Sequence, residues 1–176
     1  MSEIVHVEKL GRRGMISMKG DLAEKLVAAV AEAATGMALP GPREIMLEDG
    51  RGLAWMAPDE LLLLFPEEEV EQALTKMESS AGDQHILIAE VSDARTIFAV
   101  EGARAREVLA KLAPVDLSPE AFGQRQIRRT RLAQVAAAFW LVSETRFEVV
   151  CFRSVEDYVE GLLRLSAAPG TVPEFF

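Results

Sequence analysis

Four arginines within seven residues, Arg125, Arg128, Arg129 and Arg131, form the densest chemistry-bearing stretch of the sequence. A guanidinium offers a planar fork of donors that matches a carboxylate or a phosphate, so the stretch suits an anchor for an anionic ligand or an acidic partner. The plainer reading is a solvated loop whose arginines pair with the chain's own surplus carboxylates. Other reactive types are sparse. Asp59-Glu60 and Glu67–Glu69 supply paired carboxylates, but acid–base work needs one carboxyl held in an apolar pocket, and Asp59 is the residue expected of a hairpin turn. His6 and His85 stand far apart and read as surface or half-buried residues. The single cysteine, Cys151, alternates with Phe147 and Val149, which reads as core packing around an unreactive thiol. Trp55 and Trp140 read as core residues, with stacking on a ligand as the other use of an indole. No glycine-rich dinucleotide fingerprint, phosphate loop or nucleophile elbow is present. The expectation is therefore no catalytic, cofactor-binding or metal residue in this chain, with the four arginines as candidate partner or anion contacts.

The whole-chain balance agrees. Twenty-eight acidic against 19 basic residues leave −9, which argues against nucleic acid as the main partner, since phosphate binding needs clustered cations. One cysteine permits no internal disulfide and no cysteine-based zinc site. The longest apolar runs, Leu61–Phe65 and Val135–Val142, fall short of the roughly 20 residues of a membrane helix, and the first twenty residues lack a signal-peptide core. A cytoplasmic protein with no membrane partner is expected. With 176 residues, 49% of them hydrophobic, the chain can bury a real core.

The elements that must position these residues read as follows. Residues 1–14 are taken as an irregular arm. Met15–Met18 is a strand, and Asp21 with Glu24 forms a capping box before a helix that ends near Gly36. Strands follow at Glu44–Leu47, Leu53–Ala57 and Glu60–Phe65, then a helix opened by Pro66 and three glutamates and closed by Gly82. His85–Val91 and Thr96–Val100 are strands, and Gly102 precedes a helix whose inner face is Ala105, Val108, Leu109 and Leu112. Residues 114–125 are a loop. Arg131–Val142 reads as one long strand paired with Arg146–Phe152, and Ser154 caps a last helix with Val155, Tyr158, Leu162 and Leu165 facing inward. Residues 167–176 are a loose tail.

The two halves read as two copies of one unit, the alternative being chance similarity between two ordinary α+β segments. Met15–Gly20 with its helix parallels Thr96–Gly102 with its helix. The hairpin and helix that follow recur 85 positions later, pairing Trp55 with Trp140 and Val70 and Leu74 with Val155 and Val159. The predicted class is α+β: two ferredoxin-like strand–helix–strand–strand–helix units, about 15–90 and 91–166, packed together in one domain over 15–166.

Several stretches resemble one family, the gamma subunit of heterotetrameric sarcosine oxidase. They are Met15–Gly20, Leu39-Pro40-Gly41-Pro42, Leu53–Leu63, Glu90–Arg95, and Gly102 with Ala105–Leu109. To these add Pro114–Gly123 followed by Arg129-Thr130-Arg131-Leu132, then Phe147-Glu148-Val149 and Ser154–Leu165. The ordered set covers residues 15 to about 166. The resemblance implies a complex that oxidises sarcosine to glycine, passing the one-carbon unit to tetrahydrofolate and electrons to oxygen to give hydrogen peroxide. It implies FAD, FMN, NAD and the folate site in alpha and beta subunits, zinc in a delta subunit, and no cofactor in this chain. It also implies a fold similar to the folate-binding aminomethyltransferase domain. Those transferases carry a Gly-Tyr-Thr-Gly-Glu turn where this sequence has Val142-Ser143-Glu144-Thr145-Arg146, so the glycines that let backbone approach a ligand are missing. The cysteine motif of the related iron–sulfur-assembly branch is absent too. The expected role is a non-catalytic structural subunit docked on the alpha and beta subunits through an exposed apolar patch, prone to self-association when isolated. The rivals are a stand-alone tetrahydrofolate-binding transferase domain and an acidic adaptor for another client.

Overall fold

The computed structural model describes residues 5–171. The chain divides into two compact units, one spanning Arg12–Ser92 and the other joining residues 93–171 to the segment before Arg12.

In the Arg12–Ser92 unit the elements run β2 (Gly14–Lys19), α1 (Lys25–Thr35), β3 (Ile45–Glu48), β4 (Arg51–Ala57), β5 (Glu60–Phe65), α2 (Val70–Ala81) and β6 (Leu87–Glu90), after β1 (His6–Lys9) of the other unit. The strands form one antiparallel sheet in the order β3-β4-β5-β2-β6. Alternation sends Ile16, Met18, Leu61, Leu63 and Phe65 to the face that meets Val27, Val30 and Ala31 of α1 and Ala73 and Met77 of α2. Asp49 and Gly50 both adopt positive φ, 48° and 77°, which closes the β3–β4 hairpin in two residues. The capping box does not form: the Asp21 carboxylate accepts the Ala23 N–H at 2.9 Å, a turn that delays α1 until Lys25, and Glu24 stands at the cap position with no side-chain bond.

The second unit runs β7 (Arg95–Glu101), α3 (Ala105–Ala110), β8 (Ile127–Leu132), β9 (Val135–Ser143), β10 (Arg146–Phe152) and α4 (Glu156–Ser166), with sheet order β1-β7-β10-β9-β8. This is the same order as β6-β2-β5-β4-β3. The difference is the source of one edge: β6 follows α2 directly, whereas β1 comes from before Arg12. The fold is α+β with two antiparallel sheets, as the sequence predicts.

The duplication extends to single bonds. The Gly20 N–H donates to the Asp59 carbonyl at 3.0 Å, and the Gly102 N–H to the Thr145 carbonyl at 2.9 Å. Lys19 pairs across the ladder with Glu60, and Glu101 with Arg146, the same ion pair with its charges exchanged. The register from hairpin to helix is 86, not 85, positions: Leu61, Phe65, Ala73 and Met77 correspond to Phe147, Cys151, Val159 and Leu163, buried in both units. Trp55 and Trp140 are therefore not equivalents. Trp55 packs against the helix-facing core of its sheet, and Trp140 points to the opposite face of its own.

Four further readings are corrected. His6–Lys9 is not irregular but β1, held along β7 from His6↔Glu101 to Lys9↔Phe98. The long strand is two: Ala133, at φ 50°, turns the chain between β8 and β9, a turn built without the usual glycine or asparagine. In α4, Val159, Leu163 and Ser166 are buried, while Tyr158 is 45% and Leu165 70% exposed. The tail is tied at its start, where the Lys111 ammonium donates to the Ser166 and Thr171 carbonyls at 2.6 and 3.0 Å; its remainder, 172–176, lies outside the described residues.

Candidate functional site

α3 is short and leaves the chain to cover the end of its core with the loop 111–126. Phe122 drops from that loop into the core, its ring 5.7 Å from Phe139 and 5.8 Å from Phe147. Arg106 of α3 fastens the loop: its Nη1 donates to the carbonyls of Leu117 and Phe122 at 2.9 and 2.8 Å, and its guanidinium lies over the Phe147 ring. Burial lowers the Arg106 pKa, with Glu120 opposing the shift. Asp116 accepts the Ser118 N–H, which together with the Ser118 hydroxyl holds its carboxyl below the usual range.

The loop leads into β8 and the four arginines, and the strand's alternation separates them. Arg125 is exposed in the turn before β8, at φ 66°. Arg128 is half-buried, 5.3 Å over the Phe122 ring, and donates to the Ile127 carbonyl and the Gln126 amide oxygen. Arg129 and Arg131 are exposed and share the other face of the strand. Arg128 and Arg129 line a groove of about 380 Å³ with Pro114, Val115, Asp116, Ala121 and Thr130; Arg125 and Arg131 do not reach it. One of the four thus caps the core, and two stand outward on a sheet edge.

The paired carboxylates and the cysteine have structural employment. Glu60 is buried with Lys19 Nζ at 3.7 Å and the Ser17 hydroxyl at 3.5 Å. Glu67 pairs with Arg12, and Glu69 with Arg51 at 2.7 Å. Cys151 is buried, and burial plus the nearby Glu156 carboxylate push its thiol up to about 11, away from nucleophilic use. Trp140 is fully buried, and its Nε1–H meets no hydrogen-bond acceptor. His6 is exposed on β1. His85 lines an open groove of about 720 Å³ with Lys19, Asp21, Pro58, Asp59 and Leu87, among others. Among the described residues no three His, Cys, Asp or Glu side chains stand together as a metal site would need.

The feature missed in the sequence is the outward stripe of α4. The helix carries two apolar stripes, Val155-Val159-Leu163 and Tyr158-Leu162-Leu165, and only the first packs on the core. The second lies beside it at positions i, i+4 and i+7, with Tyr158 and Leu165 exposed, Leu162 half-buried between them, and Phe152 also 47% exposed just before the helix. The signal was present as an excess: one more stripe than a helix with a single buried face needs.

A family model described as the sarcosine oxidase gamma subunit family matches residues 19–169. The sarcosine oxidase subunit gamma of Corynebacterium sp. (strain U-96) is 30% identical over 152 residues, covering 85% of this chain and 70% of the relative. That of Corynebacterium sp. (strain P-1) is 28% identical over the same shares. Among solved structures, a chain of the heterotetrameric sarcosine oxidase from Corynebacterium sp. U-96, in complex with pyrrole 2-carboxylate, superposes with a TM-score of 0.88 at 24% identity, over 98% of this chain and 88% of that one. The glycine cleavage system aminomethyltransferase T from Bartonella henselae superposes with a TM-score of 0.68 at 14% identity, over 91% of this chain and 45% of its own, a likeness of fold alone.

Proposed function

Because the chain belongs to the sarcosine oxidase gamma subunit family, we propose that it is the gamma subunit of a heterotetrameric sarcosine oxidase and acts by docking on the subunits that carry the chemistry. In this reading the alpha and beta subunits hold FAD, FMN, NAD and tetrahydrofolate, and the delta subunit holds zinc. There sarcosine is oxidised to glycine, the one-carbon unit passes to tetrahydrofolate, and oxygen is reduced to hydrogen peroxide, in the cytoplasm. This chain forms one domain of two repeated units and supplies surface, not reacting groups.

The observation that carries the reading is internal to the molecule. At the α2 positions equivalent to Tyr158, Leu162 and Leu165, the twin helix has Gln72, Lys76 and Ser79. Both helices bury the same neighbouring stripe, so the fold is satisfied by polar residues at these three places. Exposed apolar side chains that the fold does not need are what a contact surface requires, and burying them on a partner gains about 25 cal/mol per Å². Leu165, the most exposed of the named apolar residues, stands in this stripe.

Co-expression with the flavin-bearing subunits tests the proposal. The wild-type chain is expected to co-elute with flavin absorbance. The double variant Tyr158→Glu, Leu165→Glu should elute apart from it with unchanged circular dichroism, and should also lose any self-association of the isolated chain. A variant that still co-elutes refutes the role of the stripe. Tight binding of tetrahydrofolate by the isolated chain would instead favour a folate domain acting alone.

A further inference from the structure

β8 ends its sheet, and among the described residues no other strand pairs with its outer side. Alternate residues of such a strand turn their N–H and C=O groups away from the ladder. The two-residue turn makes Leu132 and Val135 the first bonded pair, so Ile127, Arg129 and Arg131 carry the outward backbone groups. The side chains of Arg129 and Arg131 are exposed on one face, about 7 Å apart along the strand. Arg128 stands on the other face, at the groove that borders the strand.

The twin edge again serves as a control. β3, at the same place in its sheet, reads Ile45-Met46-Leu47-Glu48, where β8 reads Ile127-Arg128-Arg129-Thr130 and continues for two more residues. The fold therefore does not demand a basic edge, and a chain of net charge −9 has concentrated one there. Two copies of β8 brought edge to edge would set arginine against arginine, whereas carboxylates on alternate residues of an added strand would meet Arg129 and Arg131.

On the strength of the docking role, we infer that β8 is extended by an acidic strand of a partner subunit: a segment with Asp or Glu at alternate positions, joined by backbone hydrogen bonds at residues 127, 129 and 131. The α4 stripe supplies apolar contact, and β8 supplies register and charge selection.

The test uses the full chain with a capped peptide alternating Glu and Thr, and a Lys–Thr peptide as control, read by fluorescence anisotropy and by hydrogen exchange at residues 127, 129 and 131. The Glu peptide is expected to bind, to slow exchange at those amides, and to weaken as salt is raised; the Lys peptide should not bind. Arg129→Gln with Arg131→Gln should weaken binding about tenfold. Arg131→Pro, which removes an outward N–H that an edge strand can spare, should weaken it beyond Arg131→Gln, while Arg131→Lys retains most of it. No preference for the Glu peptide, or a preference indifferent to these variants, overturns the inference. In the co-expressed complex the β8 amides should be protected. A complex that assembles with those amides exchanging freely overturns strand addition and leaves the docking role standing. If the wild-type chain does not assemble, the docking role fails, and the peptide measurements alone decide whether β8 accepts an acidic strand.

Discussion

Replacing Arg106 by Met should unfasten the loop that carries both Phe122 and one wall of the arginine groove. The wild-type guanidinium makes two bonds to carbonyls, at 2.9 Å to Leu117 and 2.8 Å to Phe122, and lies 5.6 Å from the Phe147 ring centroid. A hydrogen bond to a charged group contributes about 1.5–3 kcal/mol and an exposed cation–π contact about 0.5–1 kcal/mol. Met keeps an apolar stem over Phe147, and the half-buried site admits water to the freed carbonyls, so the net loss is about 2–3 kcal/mol. Arg106→Lys keeps a cation without the planar fork and should lose about half as much. Urea titration measures both, with the midpoint lowered at an unchanged slope. Native-state hydrogen exchange locates the effect: the Phe122 amide, which donates to the Ser118 carbonyl at 2.9 Å, should exchange faster well before the unit unfolds. A loss below about 0.5 kcal/mol with unchanged Phe122 exchange would show that the loop is held by Phe122 packing alone.

Three other outcomes follow from local geometry. Gly14→Ala should cost about 1–3 kcal/mol in thermal or urea unfolding, because the added Cβ would sit 2.6 Å from Val70 Cβ and 3.2 Å from the Pro66 carbonyl, with the backbone on one side unable to yield. Cys151, with its thiol pushed up to about 11, should react with a thiol reagent at pH 8 only as fast as the protein unfolds; rapid labelling of the native chain would contradict its burial. Glu156 is held below the usual carboxylate range by the Thr96 hydroxyl, 2.6 Å away, and by Lys9 and Arg153. Its stabilising effect is complete above the ordinary Glu pKa and fades as pH falls through the depressed value, so Glu156→Gln should lower the unfolding midpoint at neutral pH and flatten its acid limb.

The sequence carried the elements whose chemistry is local. Gly36 ends α1 because its φ of 75° is costly for any other residue, and Pro66 with Glu67–Glu69 leads into α2 through one 3-10 turn. It misled where local and tertiary signals diverge. The β8–β9 turn was invisible because Ala133 gives no turn signal, yet the ladder on both sides outweighs the roughly 1 kcal/mol an alanine loses at positive φ. β1 was invisible because four residues with one buried side chain, Val7, have little periodicity; their partner β7 lies some ninety residues away. The repeat was legible, but its register was set by the two tryptophans, which are chemically alike and face opposite ways. The correct register needed the buried positions of α2 and α4. The arginines were legible as a cluster, and their division between core cap and strand edge followed only from the alternation of a strand whose start the sequence had placed four residues late.

A duplicated unit separates what a fold needs from what a surface does. Features kept in both units are those the architecture enforces: the strand order, the glycine N–H bonded across to the hairpin turn, and an ion pair at the strand end whose polarity is free because only opposition of charge matters there. Features found in one unit alone have another cause. Tyr158, half-buried Leu162 and Leu165 replace polar residues, and Arg128 and Arg129 replace Met46 and Leu47; each exchange runs against what an isolated surface favours, as Tyr158 and Leu165 are apolar side chains exposed on a helix and the arginines are like charges neighbouring on a strand. Both exchanges fall in the unit that contains residues 93–171. The Arg12–Ser92 unit, with its polar α2 and uncharged β3 centre, keeps the same fold without them, so the contact function is expected to map to one unit, and substitutions at Gln72, Lys76 and Ser79 should leave assembly untouched.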